Sequence, residues 1–227
     1  MSLKKPKMVL FDVDGTLVDS VPDLAFCVNA MMRELGMPER PEGSVRHWVG
    51  NGVERLVQRA LTDDLDGMPD EDLFARAMPI FNDFYAENTS KRSHLYEGVR
   101  EGMDYVKRAG YRVGAVTNKA AQFTIPLLTT LGLHDDFEII ISGDTLSEKK
   151  PSPMPLNYAA AQLGVSAEDS LMVGDSKSDV KAARAAGFQI VCMSYGYNHG
   201  EDIRDYEPDA VIDAMTELEG LLEAAGD

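Results

Sequence analysis

At 227 residues the chain is long enough for one large domain, or for a core domain carrying a smaller inserted one, and it needs no disulfide or metal staple to fold. Its apolar fraction of 44% and charged fraction of 26% exclude a disordered or fibrous chain. A net charge of −16, from 38 acidic against 22 basic residues, argues against nucleic acid or an anionic membrane as partner, and means that an anionic substrate must be met by a metal or a few placed cations.

The basic segment Met1–Lys7 leads into a short apolar run, Met8–Phe11, which cannot serve as a signal peptide or membrane span; the cytoplasm is the expected location. That run is the first predicted strand. About a hundred residues without a convincing strand then follow, too many for a loop. Within them Pro22–Leu35 places Leu24, Val28, Met31 and Leu35 on one helical face, opened by Ser20 and closed by Gly36. Gly52–Leu61 places Val53, Leu56, Val57, Ala60 and Leu61 at helical spacing, and Asp70–Tyr85 reads as a third helix interrupted by Pro79. Trp48 is expected in the core of this helical segment, and the acidic stretch Asp63–Asp72 in a solvated connection.

From residue 97 the rhythm is regular. Helices are predicted over Val99–Arg108, Gln122–Thr130, Pro155–Leu163 and Asp179–Ala186, with Gly110, Gly132, Gly164 and Gly187 just past their ends. Strands are predicted over Val113–Thr117, Glu138–Ser142, Leu171–Gly174 and Gln189–Met193, mostly as continuous apolar runs that suit a parallel sheet covered on both faces. Tyr195–Gly200 reads as a flexible loop. The expected fold is α/β: a doubly wound parallel-sheet core of residues 1–19 and 97–227, with an all-helical insertion over residues 20–96 above the carboxyl end of the first strand. Cys27 and Cys192 sit among apolar neighbours and are expected to be buried free thiols. His47, His94, His134 and His199 are scattered without ligand spacing and read as surface or packing residues.

The chemistry is concentrated at strand ends. Asp12-Val13-Asp14-Gly15 follows the first strand, Thr117-Asn118-Lys119 ends the second, Lys150-Pro151 precedes a helix, and Gly174-Asp175-Ser176-Lys177-Ser178-Asp179 links a strand to a helix. Ligands of doubly wound sheets bind beyond the carboxyl ends of the strands, so all four pieces are expected on one rim. Like charges about 4 Å apart repel by about 4 kcal/mol per pair at an effective dielectric of 20. Asp12, Asp14, Asp175 and Asp179 therefore need a cation, and oxygen donors without His or Cys favour a hard ion, with Mg²⁺ best suited to a phosphate substrate.

These four ordered motifs resemble those of the haloacid dehalogenase superfamily of phosphatases, in the branch with a helical cap. The resemblance implies that Asp12 is the nucleophile, phosphorylated in turn, that Asp14 is the general acid and base, that Thr117 hydrogen-bonds the transferring phosphoryl group and that Lys150 neutralises it. It implies Mg²⁺ held by Asp12, the backbone carbonyl of Asp14, and Asp175, with Asp179 as ligand or support. Within that branch the chain is most similar to bacterial phosphoglycolate phosphatases, through Trp48-Val49-Gly50-Asn51-Gly52, Thr117-Asn118-Lys119, Lys150-Pro151, Gly174-Asp175-Ser176 and Gly196-Tyr197-Asn198. It departs from them at Ser152 and Ser178, where His and Asn are frequent. A small phosphorylated metabolite is the expected substrate, with Asn118, Arg46 and the turn Gly50, Asn51, Gly52 as candidate contacts; an arginine such as Arg46 suits the carboxylate of 2-phosphoglycolate. A phosphatase for another metabolite and a sugar-phosphate mutase stay open. A dehalogenase does not account for the second aspartate. The alternative from another class is a non-catalytic phospho-accepting or binding module. Monomer and homodimer are both compatible with the sequence.

Overall fold

The structure, a computed structural model, describes residues 3–225. Strands β1 (Met8–Phe11), β4 (Arg112–Val116), β5 (Ile139–Ile141), β6 (Ser170–Gly174), β7 (Gln189–Met193) and β8 (Ala210–Ile212) form one six-stranded sheet. Every pairing in it is parallel, and the order is β5-β4-β1-β6-β7-β8. All of β1 is buried because it is central and covered on both sides, which is why four consecutive apolar residues form it. Val9 and Phe11 point into one core with residues of helices α5 (Val99–Arg108), α6 (Ala121–Thr130) and α9 (Glu217–Ala224). Met8 and Leu10 point into the other, with α7 (Met154–Leu163) and α8 (Lys177–Ala186). The register sets Phe11 beside Ala115 and Val173, so the residues that follow β1, β4 and β6 leave the sheet side by side.

Between β1 and β4 the chain runs through β2 (Val18–Asp19), helices α1 (Val21–Glu34), α2 (Glu42–Trp48), α3 (Val53–Thr62) and α4 (Glu71–Glu87), and β3 (His94–Leu95). β2 and β3 pair antiparallel, so the chain leaves and re-enters the core through a two-strand ribbon. The four helices have their own apolar centre, with Val28, Met31, Trp48, Leu56 and Phe81 among its buried residues. Pro79 does not end α4. Its ring forfeits one backbone hydrogen bond, but Ala77, Phe81 and Tyr85, spaced by four, are fully buried on one face. Each large side chain so buried contributes about 1.5–3 kcal/mol, enough to hold the helix through the proline. Asp23, fully buried in the first turn of α1, accepts from the backbone N–H groups of Arg92 and Ser93, both at 2.8 Å, and clamps the start of the insertion to its end.

Among the strands and α-helices, five depart from the sequence expectation: β2, β3, β8, α2 and α9 all form where no strand or helix is expected. The segment 195–200 is not a loose loop either. Tyr197 and Asn198 are buried. Among the described residues no helix is long and apolar enough to cross a membrane. Cys27 and Cys192 are free and buried, and burial pushes the Cys27 thiol up to about 12.

Candidate active site

Asp12 stands one residue beyond β1, its backbone N–H bonded to Val173 O at 2.9 Å. The turn after it needs Gly15, whose φ of +89° disfavours any side chain and whose added Cβ would collide with the Asp175 carboxylate. Asp175, one residue beyond β6, accepts from Thr16 Oγ1 at 2.7 Å through Oδ1 and from the Tyr197 backbone N–H at 2.5 Å through Oδ2. Asp179, in the first turn of α8, is fully buried; its Oδ2 accepts from Asp175 N (3.2 Å), Ser176 N (3.0 Å) and Ser176 Oγ (2.7 Å). Gly174 leaves the room for it, since a Cβ there would lie 2.5 Å from that of Asp179.

Asp12, Asp175 and Asp179 can each offer one carboxylate oxygen, all within 4.8 Å of one another. Among the described residues their one close cation is Lys150, buried, with Nζ 2.9 Å from Asp12 Oδ1 and 2.7 Å from Asp179 Oδ1. The contact to Asp179 is an ion pair without hydrogen-bond geometry, which leaves that buried oxygen without a hydrogen-bond donor. Lys150 Nζ also donates to Val116 O at 2.7 Å. The electrostatics show the strain of three acids around one base. Burial, opposed by Lys150 and reinforced by Asp179, pushes Asp12 up to about 7. Burial, with Asp179 and Asp12 beside it, raises Asp175 well above the usual carboxylate range. Burial disfavours the Lys150 ammonium, but Asp12 and Asp179 more than compensate and raise its pKa. An all-oxygen donor set with surplus negative charge and an unsatisfied carboxylate oxygen fits a hard divalent cation.

The Asp14 carboxylate stands outside that cluster. Lys119 holds it, with Nζ 2.9 and 3.1 Å from its two oxygens. Lys119 is itself buried, 5.0 Å from the ring centre of Tyr85 in α4, so a cation from the core lies against the inserted helices. A cavity is lined by Asp12, Asp14, Thr117, Asn118, Lys119 and the insertion residues Leu24, Val49, Gly50, Gly52, Val53 and Leu56. Thr117 is anchored through its N–H to Ile141 O, and its hydroxyl accepts from Lys119 N. Asn118 Nδ2 donates to Gly50 O at 3.3 Å and Lys150 O at 2.9 Å, bridging the core to the turn between α2 and α3.

Two of the candidate substrate contacts lie away from the cavity lining. Arg46 donates to Asp19 Oδ2 at 3.0 Å, approaches Glu42 at 3.6 Å and lies 5.4 Å from the ring centre of Tyr197. Asn51 turns its carbonyl to Lys149 Nζ at 3.2 Å. The sequence reading gave no role to Lys119 or Thr16; the signal available for Lys119 was its place two residues beyond Thr117 at a strand end.

The sequence profile of the haloacid dehalogenase-like hydrolases matches residues 9–193, which hold every one of these strand-end motifs. The chain belongs to the haloacid dehalogenase-like hydrolase family. A phosphoglycolate phosphatase of Nitrosococcus oceani is 66% identical over 98% of this chain and 99% of its own. One of Nitrosospira multiformis is 45% identical over 96% of each. The crystal structure of a predicted phosphoglycolate phosphatase from Haemophilus somnus superposes with a TM-score of 0.91 at 34% identity, covering 97% of this chain and 99% of that one. Within the family this chain is a phosphatase.

Proposed function

We propose that this phosphatase hydrolyses 2-phosphoglycolate to glycolate and phosphate, with Mg²⁺ as its cation and Asp12 as its nucleophile. The convergence of Asp12, Asp175 and Asp179 around the buried Lys150 ammonium carries the chemical reading, and the relatives' shared name supports the substrate. Asp12, Asp175, Asp179 and the Asp14 carbonyl are the groups that would hold the ion. When bound, Mg²⁺ offsets the charge of the carboxylates and of the phosphate oxygens.

In this mechanism an Asp12 carboxylate oxygen attacks phosphorus in line with the leaving oxygen, forming an aspartyl phosphate as the ester bond breaks. The Asp14 carboxyl delivers a proton to the leaving glycolate oxygen, then takes one from the water that cleaves the acyl phosphate. Lys150 and the Thr117 hydroxyl stabilise charge on the equatorial phosphoryl oxygens. Residues 20–96 act as a cap whose apolar wall, Leu24, Val49, Val53 and Leu56, excludes water from the intermediate. Asn118, Gly50 and Gly52 line the same cavity and are the candidate contacts for the leaving group. Arg46 lies outside the cavity lining, held on Asp19, whereas Lys119 lines the cavity, so contact with the substrate carboxylate falls first to Lys119.

The test is phosphate release with Mg²⁺ from 2-phosphoglycolate beside a panel of sugar phosphates and mononucleotides, compared by kcat/KM. A preference of about two orders of magnitude for phosphoglycolate is expected. A flat profile or a better sugar-phosphate substrate would overturn the substrate and leave the phosphoryl-transfer chemistry standing.

A further inference from the structure

Tyr197 touches both the acidic cluster and the root of the helical insertion. Its backbone N–H donates to Asp175 Oδ2 at 2.5 Å. Its phenol donates to Asp19 Oδ1 at 2.5 Å and accepts from the N–H groups of Ser20 at 3.1 Å and Val21 at 3.4 Å. Asp19 ends β2, and Val21 opens α1, so these are the residues on which the insertion leaves the core. The side chain is 2% exposed and packs in the apolar centre of the insertion, although its backbone belongs to the loop after β7. Arg46 completes the arrangement from α2, closing on Asp19 Oδ2 and lying over the Tyr197 ring. The next residue upstream, Gly196, has no room for a side chain, because a Cβ there would collide with that of Asp175.

We propose that Tyr197 is a positioning residue that couples occupation of the cation site to the placement of the helical insertion. An aromatic side chain has few torsions, and one buried in a close-packed centre transmits a displacement rather than absorbing it. A cation that fixes Asp175 therefore fixes the Tyr197 backbone, and the phenol fixes the first residues of α1. Coupling of this kind is reciprocal: an insertion held closed tightens the cation site by the same factor. The interaction of Arg46 with Asp19 and Tyr197 gives that arginine a place in the hinge.

The inference rests on the reading that Asp12, Asp175 and Asp179 bind Mg²⁺, so binding and coupling are measured separately. Calorimetry with Mg²⁺ alone reports binding. Amide hydrogen exchange of the peptide spanning Asp19–Asp23, with and without Mg²⁺, reports coupling. In the wild-type protein Mg²⁺ is expected to slow exchange in that peptide about fivefold or more. Tyr197→Phe keeps the ring and the backbone donor and loses only the hydroxyl; it should still bind Mg²⁺ but lose the slowing. Asp19→Ala removes the same contact from the other side and should behave alike if the phenylalanine variant folds poorly. Slowing that persists undiminished in both variants, or a wild-type protein that binds Mg²⁺ without any change in the peptide, overturns the coupling alone. Absence of Mg²⁺ binding to the wild type overturns the metal reading and the coupling with it.

Discussion

Lys119 and Asp14 form a bidentate ion pair between the loops that leave β4 and β1, and the lysine is the more deeply buried partner, 3% against 14% exposed at the side chain. Burial works against the ammonium, yet Asp14 and the adjacent Tyr85 hold its pKa above the ordinary lysine value. The pair keeps the Asp14 carboxylate in the cavity and out of the acidic cluster. Lys119→Met should therefore lower kcat by about 10–100-fold while Mg²⁺ binding persists, because it displaces the proposed proton donor and spares Asp12, Asp175 and Asp179. Leaving Asp14 unpaired should also cost about 3 kcal/mol of stability, the lower end of the range for a broken buried pair because the carboxylate keeps some contact with solvent. Steady-state kinetics with a calorimetric Mg²⁺ titration and urea unfolding test both parts; loss of Mg²⁺ binding in this variant would show that the Asp14 carboxylate and Lys119, and not the Asp14 carbonyl alone, belong to the cation site.

Asp12→Asn keeps the size of the side chain and its bond from the Val13 N–H while removing the carboxylate proposed as nucleophile. Turnover should fall by about three orders of magnitude or more. Rapid acid quench and intact-mass measurement should find one added phosphoryl group on the wild-type chain and none on the variant. Near-normal phosphate release from Asp12→Asn would remove Asp12 from the nucleophile role.

The legible part of this molecule is the part written in consecutive residues. β1, β4, β6 and β7 each present contiguous buried apolar residues because the sheet is covered on both sides, and the chemical side chains follow them within a few positions. β8 escaped because it is a three-residue edge strand of which two are only half buried, directly after Pro208-Asp209. α2 is seven residues long with two buried side chains, too short for a periodicity to emerge. The site was illegible wherever it depends on distant partners. Tyr197 and Asp19 are 178 positions apart, and Lys119 and Asp14 are 105 apart. Arg46 reads in the sequence as a candidate partner for a substrate carboxylate because the anion it pairs with, Asp19, belongs to another element.

Gly196 tests how tightly Asp175 must be placed. Gly196→Ala forces a methyl group against the Asp175 side chain, and both its partners there, Thr16 Oγ1 and Tyr197 N, resist its movement. Mg²⁺ affinity should drop about 10–100-fold, the usual scale when groups that orient a ligand are disturbed, and saturating Mg²⁺ should restore part of the activity. An unchanged calorimetric affinity would mean that Asp175 does not bind the ion.

Protons and Mg²⁺ should compete for the acidic cluster, and the sign can be worked out from Asp12. Its carboxyl, at 3.8 when unperturbed, is pushed up to about 7 by burial first, with Lys150 opposing and Asp179 adding to the rise. Asp175 is raised in the same direction by burial and by its two acidic neighbours. The metal-free folded protein thus holds protons that the unfolded chain releases. Stability from this source is fully present below the unfolded value near 4 and is lost as pH rises through about 7. Mg²⁺ requires the ionised carboxylates and replaces those protons, so its stabilising effect should grow over the same interval. The rise in Tm on adding saturating Mg²⁺ should be small at about pH 5 and several degrees larger at about pH 8. Asp12→Asn removes one titrating group and one negative charge, and should flatten the pH dependence of the metal-free Tm. Differential scanning calorimetry at a series of pH values, with chelator and with Mg²⁺, decides it: a Mg²⁺ effect that is independent of pH would mean that Asp12 and Asp175 are already ionised without the cation.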